Sequence, residues 1–415
     1  MSSPQNDHIS ELQALEKKYR LAEDRDNTRS TALELLDLCR QVSVDRALTE
    51  LSTLVKKRLQ QPETITAIVR HVLSWTDDFT GQDESSIQIK RRILTTVRDA
   101  SAGKLTVEKE HALAIRQLSN QYVSLNDIDS AAKEIKDLSP EQIGAFTRSE
   151  RIEMILYQVD LFLKTKDFIR AEISFRKITI RSLQHEDVEP RLRVMYFFLA
   201  TRIALIRDDY YTTSSAFYDL FISSKSLSSD DSVFSLSTGS LASSARYLLL
   251  TELGPERNTL AGRVVEEVVK TGQELKEVAL LHKTLGTLLV DLNEVDALPN
   301  DEDTGEHVRG WRELVKRGLV DHNITVVSKF FSLVSFSKFA ELVQATEEFA
   351  EERLTVLFAN NVVYCKINRL ERIISFEKEK SSTAVVNEWS FALMGAIEKV
   401  DRTVHLIEVE QSLAK

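Results

Sequence analysis

The residues best suited to hold a metal or open a nucleophilic reaction are eight histidines and two cysteines. His8, His71, His111, His185, His282, His307, His322 and His405 are scattered singly along the chain. No His-x-His pair, Cys-x-x-Cys or His-Glu-x-x-His sets two ligands on one helix face or in one turn, as a zinc site requires. Surface or packing roles on helices are the better reading for them. Cys39 and Cys365 lie far apart in apolar runs. They read as small buried side chains of a protein kept in a reducing compartment, not as a disulfide. A Gly-rich phosphate loop followed by lysine, a Gly-x-Gly-x-x-Gly turn and a Gly-x-Ser-x-Gly elbow are all missing. The expectation is a protein with no catalytic residue, no cofactor and no metal, and therefore not an enzyme.

With no chemistry to position, the elements themselves become the subject. The chain has 415 residues, more than one hydrophobic core usually organises, so several domains or a repeat array are expected. Only 12 glycines and 6 prolines punctuate that length, which means long elements joined by short turns. Leu, Ala, Glu, Lys and Arg dominate, as helices prefer. A hydrophobic share of 42% is enough to build a core, so the chain is read as mostly α and folded. The net charge of −10 argues against a surface made for nucleic-acid backbones. The most apolar stretch, residues 194–206, contains Arg202 and is too short to span a bilayer. Residues 1–6 lack the charged-then-apolar order of a secretory signal. A soluble intracellular protein is expected, without membrane contact.

From about residue 10 to 290, apolar residues recur at helical spacing, as in Arg151–Leu163, with polar corners between successive helices. One corner recurs: Asp127-Ile128-Asp129-Ser130-Ala131, Asp167-Phe168-Ile169-Arg170-Ala171 and Asp209-Tyr210-Tyr211-Thr212-Thr213. In each, the acid is placed to cap the second helix of a pair, and a small fifth residue lets the partner helix approach. Such pairs cannot bury their apolar faces alone and stack into a solenoid, here of degenerate tetratricopeptide (TPR-like) type. Residues 222–244 hold eleven serines and read as a long surface loop or an irregular helix connection.

The organisation that follows is a TPR-like helical-repeat rod over 1–290, an acidic linker at 291–307, a winged-helix module at 308–380 and a C-terminal assembly helix at 381–415. The module is read from helices at about 308–331, 337–343 and 346–360, followed by a small β-hairpin. In the hairpin, Val363, Cys365 and Ile367 share one face, Asn368-Arg369 turns, and Ile374 and Phe376 return.

Many winged helices bind DNA through the second helix of their helix-turn-helix. Here that helix reads Thr346-Glu347-Glu348-Phe349-Ala350-Glu351-Glu352-Arg353-Leu354-Thr355, and its four glutamates would repel phosphates. Ala350, Leu354, Leu357 and Phe358 are expected to face the module's core. The wing carries Tyr364, Lys366, Arg369 and Arg372, which either meet an acidic partner or form a solvated turn. In the last helix, Val386, Trp389, Leu393, Ile397, Val400, Val404 and Ile407 step by three or four and make one apolar stripe. The stripe either packs back on the rod or joins helices from other chains.

Trp311-Arg312-Glu313-Leu314-Val315-Lys316-Arg317, Asp321-His322-Asn323 and Ser328-Lys329-Phe330-Phe331 resemble the opening helix of a PCI domain. That family is shared by the proteasome lid, the signalosome and the initiation-factor-three complex. Residues 363–369, 373–378, 387–390 (Asn-Glu-Trp-Ser) and 405–407 resemble one component of the lid. The motif-level likeness covers about 308–410, with a looser likeness over 127–220. Two departures stand out: Leu370 replaces a usual proline, so the hairpin turn should differ locally, and Asp137-Leu138-Ser139-Pro140-Glu141 replaces a usual Val-Glu-Thr-Tyr-Gly. The resemblance implies a non-catalytic scaffold subunit of the lid, located in cytoplasm and nucleus and supporting degradation of ubiquitinated proteins. It also implies the partners: other PCI and lid subunits, a deubiquitinase subunit and the ATPase ring. The alternative is a signalosome subunit like its fourth, or another PCI complex subunit, and more remotely a nucleic-acid-binding winged helix.

Overall fold

A computed structural model describes residues 4–79, 84–225, 231–272, 275–298, 310–377 and 382–413. It divides into two compact units, residues 1–244 and 245–415.

The first unit is built from helices alone among the described residues. In order they are α1 (Pro4–Leu21), α2 (Arg25–Val42), α3 (Val44–Lys56), α4 (Pro62–Asp78), α5 (Glu84–Ser101) and α6 (Glu108–Ser124). There follow α7 (Ile128–Ile135), α8 (Arg148–Lys164), α9 (Phe168–Phe175), the short α10 (Ile180–Leu183), α11 (Pro190–Ile206) and α12 (Tyr210–Lys225). Helix α13 (Asp231–Leu250) runs across the boundary between the units. The helices bury continuous apolar seams rather than one centre: residues from Ile9 to Leu118 form one cluster, and residues from Ala132 to Ile203 another.

The recurring corner has a single geometry. Asn126, Lys166 and Asp208 take left-handed backbone angles (φ 62°, 61° and 54°), which ends the preceding helix. The N–H of the next residue turns back on a carbonyl five positions earlier: Asp127 on Tyr122 and Asp167 on Phe162 at 2.9 Å, Asp209 on Ala204 at 3.2 Å. Each aspartate then accepts a hydrogen bond from the N–H three residues on, in Ser130, Arg170 and Thr212. The small fifth residues, Ala131, Ala171 and Thr213, are fully buried against the neighbouring helix. A fourth copy sits where no repeat is read from sequence. Glu23 has φ 58°, the Asp24 N–H reaches the Tyr19 carbonyl at 3.1 Å, Asp24 caps Asn27, and Thr28 is buried.

Side-chain contacts between successive layers repeat at the same interval. Lys57 meets Glu16, Arg40 meets Asp78, Arg70 meets Glu110 and Lys109 meets Glu150, with sequence separations of 41, 38, 40 and 41 residues. The array therefore extends through the first hundred residues. Where 137–141 departs from the family pattern, the buried Gln158 amide donates to the carbonyls of Ile135 and Leu138 and satisfies the end of α7.

Two sequence expectations are corrected here. The serine-rich stretch is not a long loop: 222–225 ends α12 and 231–244 belongs to α13, while 226–230 lie outside the described residues. Its serines serve a close helix contact, with the Ser214 hydroxyl donating to the Ser244 carbonyl at 2.9 Å in a fully buried position. The last part of the expected rod, α14 (Pro255–Thr271) and α15 (Lys276–Leu285), instead groups with the C-terminal module.

In the second unit, the buried Arg257 of α14 donates to the Leu248 carbonyl at the C-terminus of α13 and to the Thr284 hydroxyl. The negative end of the helix dipole faces that guanidinium, while burial lowers its pKa to about 10. Residues 292–297 form a 3₁₀ turn, followed by α16 (Trp311–Phe330), β1 (Leu333–Ser335), α17 (Phe336–Val343), α18 (Glu347–Ala359), β2 (Lys366–Asn368), β3 (Ile373–Ser375) and α19 (Ser382–Leu413). The antiparallel sheet has the order β1-β3-β2, with Val334 and Ile367 both opposite Ile374. Strand β1 is not anticipated from sequence, because three residues between two helices show no readable alternation.

Removing one corner cap should cost about 1 kcal/mol. Asp24→Ala and Asp167→Ala are each expected to lower the unfolding free energy measured by urea titration by that amount, and equal losses would confirm that the two corners are equivalent. Hydrogen bonds from Ser130 and Thr212 hold the Asp127 and Asp209 carboxyls below the usual carboxylate range. Their contribution is complete above the unfolded value of about 3.9 and fades as pH falls through the lower folded value. This part of the stability should thus decline only below about pH 4.

Candidate assembly surfaces

Three consecutive residues of α16 fasten the module together. Asp321 takes two hydrogen bonds from the Arg353 guanidinium of α18, at 2.8 and 2.5 Å, with both side chains almost wholly buried. His322 Nε2 donates to the Leu288 carbonyl at 3.1 Å. Asn323, with no exposed surface, accepts from the Val290 N–H and donates to the Val290 carbonyl, both at 2.9 Å. One turn of helix thus ties the second helix of the winged helix to the strand-like segment before it.

That segment leads directly into the expected linker at 291–307. Residues 291–298 are not free chain: the Leu292 N–H donates to Gln344, Lys316 pairs with Asp296 at 2.9 Å, and Val295 and Leu298 are buried. The remainder, 299–307, lies outside the described residues.

The surface that would meet DNA is electrically closed. The one arginine of α18, Arg353, points inward to Asp321. Of the outward glutamates, Glu351 binds Arg369 at 2.6 Å and Glu347 binds Arg372. Both wing guanidiniums are therefore matched within the module. Tyr364 lies 6.3 Å from the Phe358 ring, which is half-exposed rather than in the core as expected. Lys366 stands on β2 at the sheet's edge. In the turn, Asn368 Oδ1 accepts from the N–H groups of Leu370 and Glu371, and a proline at 370 would have no hydrogen to give.

Helix α19 is the other surface. It spans 32 residues, and none of its side chains is buried. The stripe of Val386, Trp389, Leu393, Ile397, Val400, Val404 and Ile407 is exposed along its whole length, from 48% at Val404 to 72% at Trp389. An amphipathic helix gains most of its stability in water from packing its apolar face, and among the described residues this stripe stays exposed. No group of His, Cys, Asp and Glu among the described residues is arranged to hold a metal. Likewise, no described helix is long and apolar enough to cross a membrane.

Stacked helical pairs followed by a winged helix define the PCI class, and the PCI domain model matches residues 297–378. The model described as PSMD12/CSN4, N-terminal, matches residues 7–230, more than half the chain, and the chain belongs to that family. It is 28% identical over 417 residues to 26S proteasome non-ATPase regulatory subunit 12 of Dictyostelium discoideum, covering 98% of this chain and 90% of the relative. It is 26% identical over 422 residues to 26S proteasome regulatory subunit RPN5 of Saccharomyces cerevisiae, covering 98% and 91%. A more distant likeness, 18% over 315 residues, joins it to COP9 signalosome complex subunit 4 of Caenorhabditis elegans, covering 74% and 73%.

Asp321→Ala strands the Arg353 charge in the interior and should destabilise the second unit by about 3 kcal/mol in urea denaturation. Burial lowers the His322 pKa, so the folded state resists protonation that the unfolded chain accepts. Its contribution is complete above the unfolded value of about 6.5 and is lost as pH falls toward the folded value. Stability should therefore drop between pH 7.5 and 5.5, and His322→Gln should flatten part of that slope.

Proposed function

We propose that the chain is a non-catalytic scaffold subunit of the proteasome regulatory-particle lid, supporting lid assembly and ATP-dependent degradation of ubiquitinated proteins. The single observation that carries this reading is α19, a 32-residue helix with a continuous apolar stripe and no buried side chain. A chain whose longest described helix buries none of its side chains is suited to be completed by other chains. The near full-length likeness to subunits named as proteasome regulatory components says which kind of assembly that is.

In this reading the stripe Val386–Ile407 meets helices of other lid subunits. The wing, with Tyr364, Lys366, Arg369 and Arg372, meets a neighbouring PCI module. The deubiquitinase subunit and the ATPase ring are the further partners, and cytoplasm and nucleus are where they would be met. Nucleic acid is not a partner, since the face that would read it presents glutamates already paired with the wing. The array of helical pairs then acts as a spacer between contacts and performs no chemistry.

Affinity purification of the tagged full chain from native extract tests the proposal. Lid subunits and ATPases should be recovered together, and deletion of 384–415 should abolish their recovery while the isolated chain keeps its melting temperature. Recovery of signalosome subunits without ATPases would overturn the lid assignment.

A further inference from the structure

Between α9 and α10 the chain reads Arg176-Lys177-Ile178-Thr179-Ile180. Two adjacent cations, a spacer, a hydroxyl and an apolar residue suit a groove lined by carboxylates that ends in an apolar pocket. The Arg176 side chain is 68% exposed and Ile180 is 56% exposed, with Thr179 exposed between them. Elsewhere among the described residues, an arginine three places before a serine or threonine leads to a hydroxyl already in use. Thr28, Thr49, Thr95 and Ser101 donate to carbonyls of their own helices, Ser119 donates to the Ala131 carbonyl, and Ser43 caps α3. Ser375 lies in the central strand of the sheet. Thr179 stands before the four-residue α10, and its side chain caps nothing.

The surroundings favour a phosphate. Residues 164–182 hold Lys164, Lys166, Arg170, Arg176, Lys177 and Arg181 against Asp167 and Glu172, within a chain of net charge −10. Glu172 accepts from Arg176 at 2.5 Å and from Arg207 at 3.2 Å. Arg176 can therefore turn to a phosphate while Arg207 still answers Glu172. Arg181, two places beyond Thr179, is exposed. A helix of four residues does not persist alone, so the segment can extend into a groove at small cost, chiefly by lifting the buried Ile178.

We propose that Thr179 is a phosphorylation site for a protein kinase that selects basic residues on the N-terminal side of its target. The Thr179 oxygen attacks the γ-phosphorus of ATP. A new O–P bond forms as the bond to the ADP oxygen breaks, and the hydroxyl proton passes to the kinase's catalytic base. The phosphate adds a charge of about −1.5 to −2 and draws Arg176 and Arg181 onto its oxygens. It thereby removes much of the local positive excess and orders the corner between α9 and α10. The proposal does not depend on the scaffold reading.

Incubating the folded full chain with magnesium ATP and the catalytic subunit of cyclic-AMP-dependent protein kinase tests it. Tandem mass spectrometry should place phosphate on Thr179. Thr179→Val should lose that phosphate and keep the wild-type melting temperature, since the hydroxyl bonds to nothing in the fold. Arg176→Ala should slow the modification about tenfold, because one charge-assisted contact with the kinase is gone. If the folded chain stays unmodified at Thr179, the proposal fails, and modification of a free peptide spanning 171–186 would then show that the fold closes the corner. It fails equally if Arg176→Ala leaves the rate unchanged, or if chain isolated from its cells with phosphatase inhibitors carries no phosphate at Thr179.

Discussion

The second unit depends on a buried carboxylate that has exactly one cation to answer. Asp321 and Arg353 are both withdrawn from water, and each is tolerable there only because the other is present. Their contact sets the distance between α16 and α18, and that distance defines the winged helix. The two residues that follow, His322 and Asn323, use the same turn to hold the backbone at 288–290. A segment that reads as the end of the rod is thereby tied to the module. The acidic tract at 291–307 thus has a fastened beginning, and the unit boundary lies at 244/245.

Once α18 is anchored by its inward arginine, its outward glutamates become available to the wing. Arg369 and Arg372 close onto Glu351 and Glu347 across the gap between helix and hairpin. Each exposed pair adds little stability, of order 1 kcal/mol or less. Their consequence is electrostatic: a fold often used on nucleic acid presents here a neutralised face. Along α19, by contrast, exposed apolar surface rather than charge predominates among the described residues.

Much of the repeat array was legible in the residues. An aspartate followed four places on by Ala or Thr marks each corner, because the cap needs a carboxylate and the close helix approach needs a small side chain. The copy at Asp24–Thr28 follows the same rule, yet it escaped notice since Arg25-Asp26-Asn27 carries none of the apolar residue found second in the others. The serines of 222–244 misled for a related reason. Serine is common in loops, but a buried serine can also satisfy its hydroxyl on a helix carbonyl and allow close packing, as Ser214 and Ser244 do. Composition does not separate these two uses.

The stripe of α19 was visible from spacing alone, and so was its ambiguity: periodicity shows that a face is apolar but not what covers it. The sequence by itself determined the local matters, namely helix content, caps, the acidic character of α18 and the absence of familiar catalytic motifs, since each depends on neighbours within a few residues. Tertiary structure decided which charges are answered. Whether Arg353, Arg369 or Arg372 faces a partner or a carboxylate of the same chain depends on residues 18 to 32 positions away. It also left the α19 stripe exposed among the described residues. Pairing across such distances is a property of packing, and no local pattern encodes it.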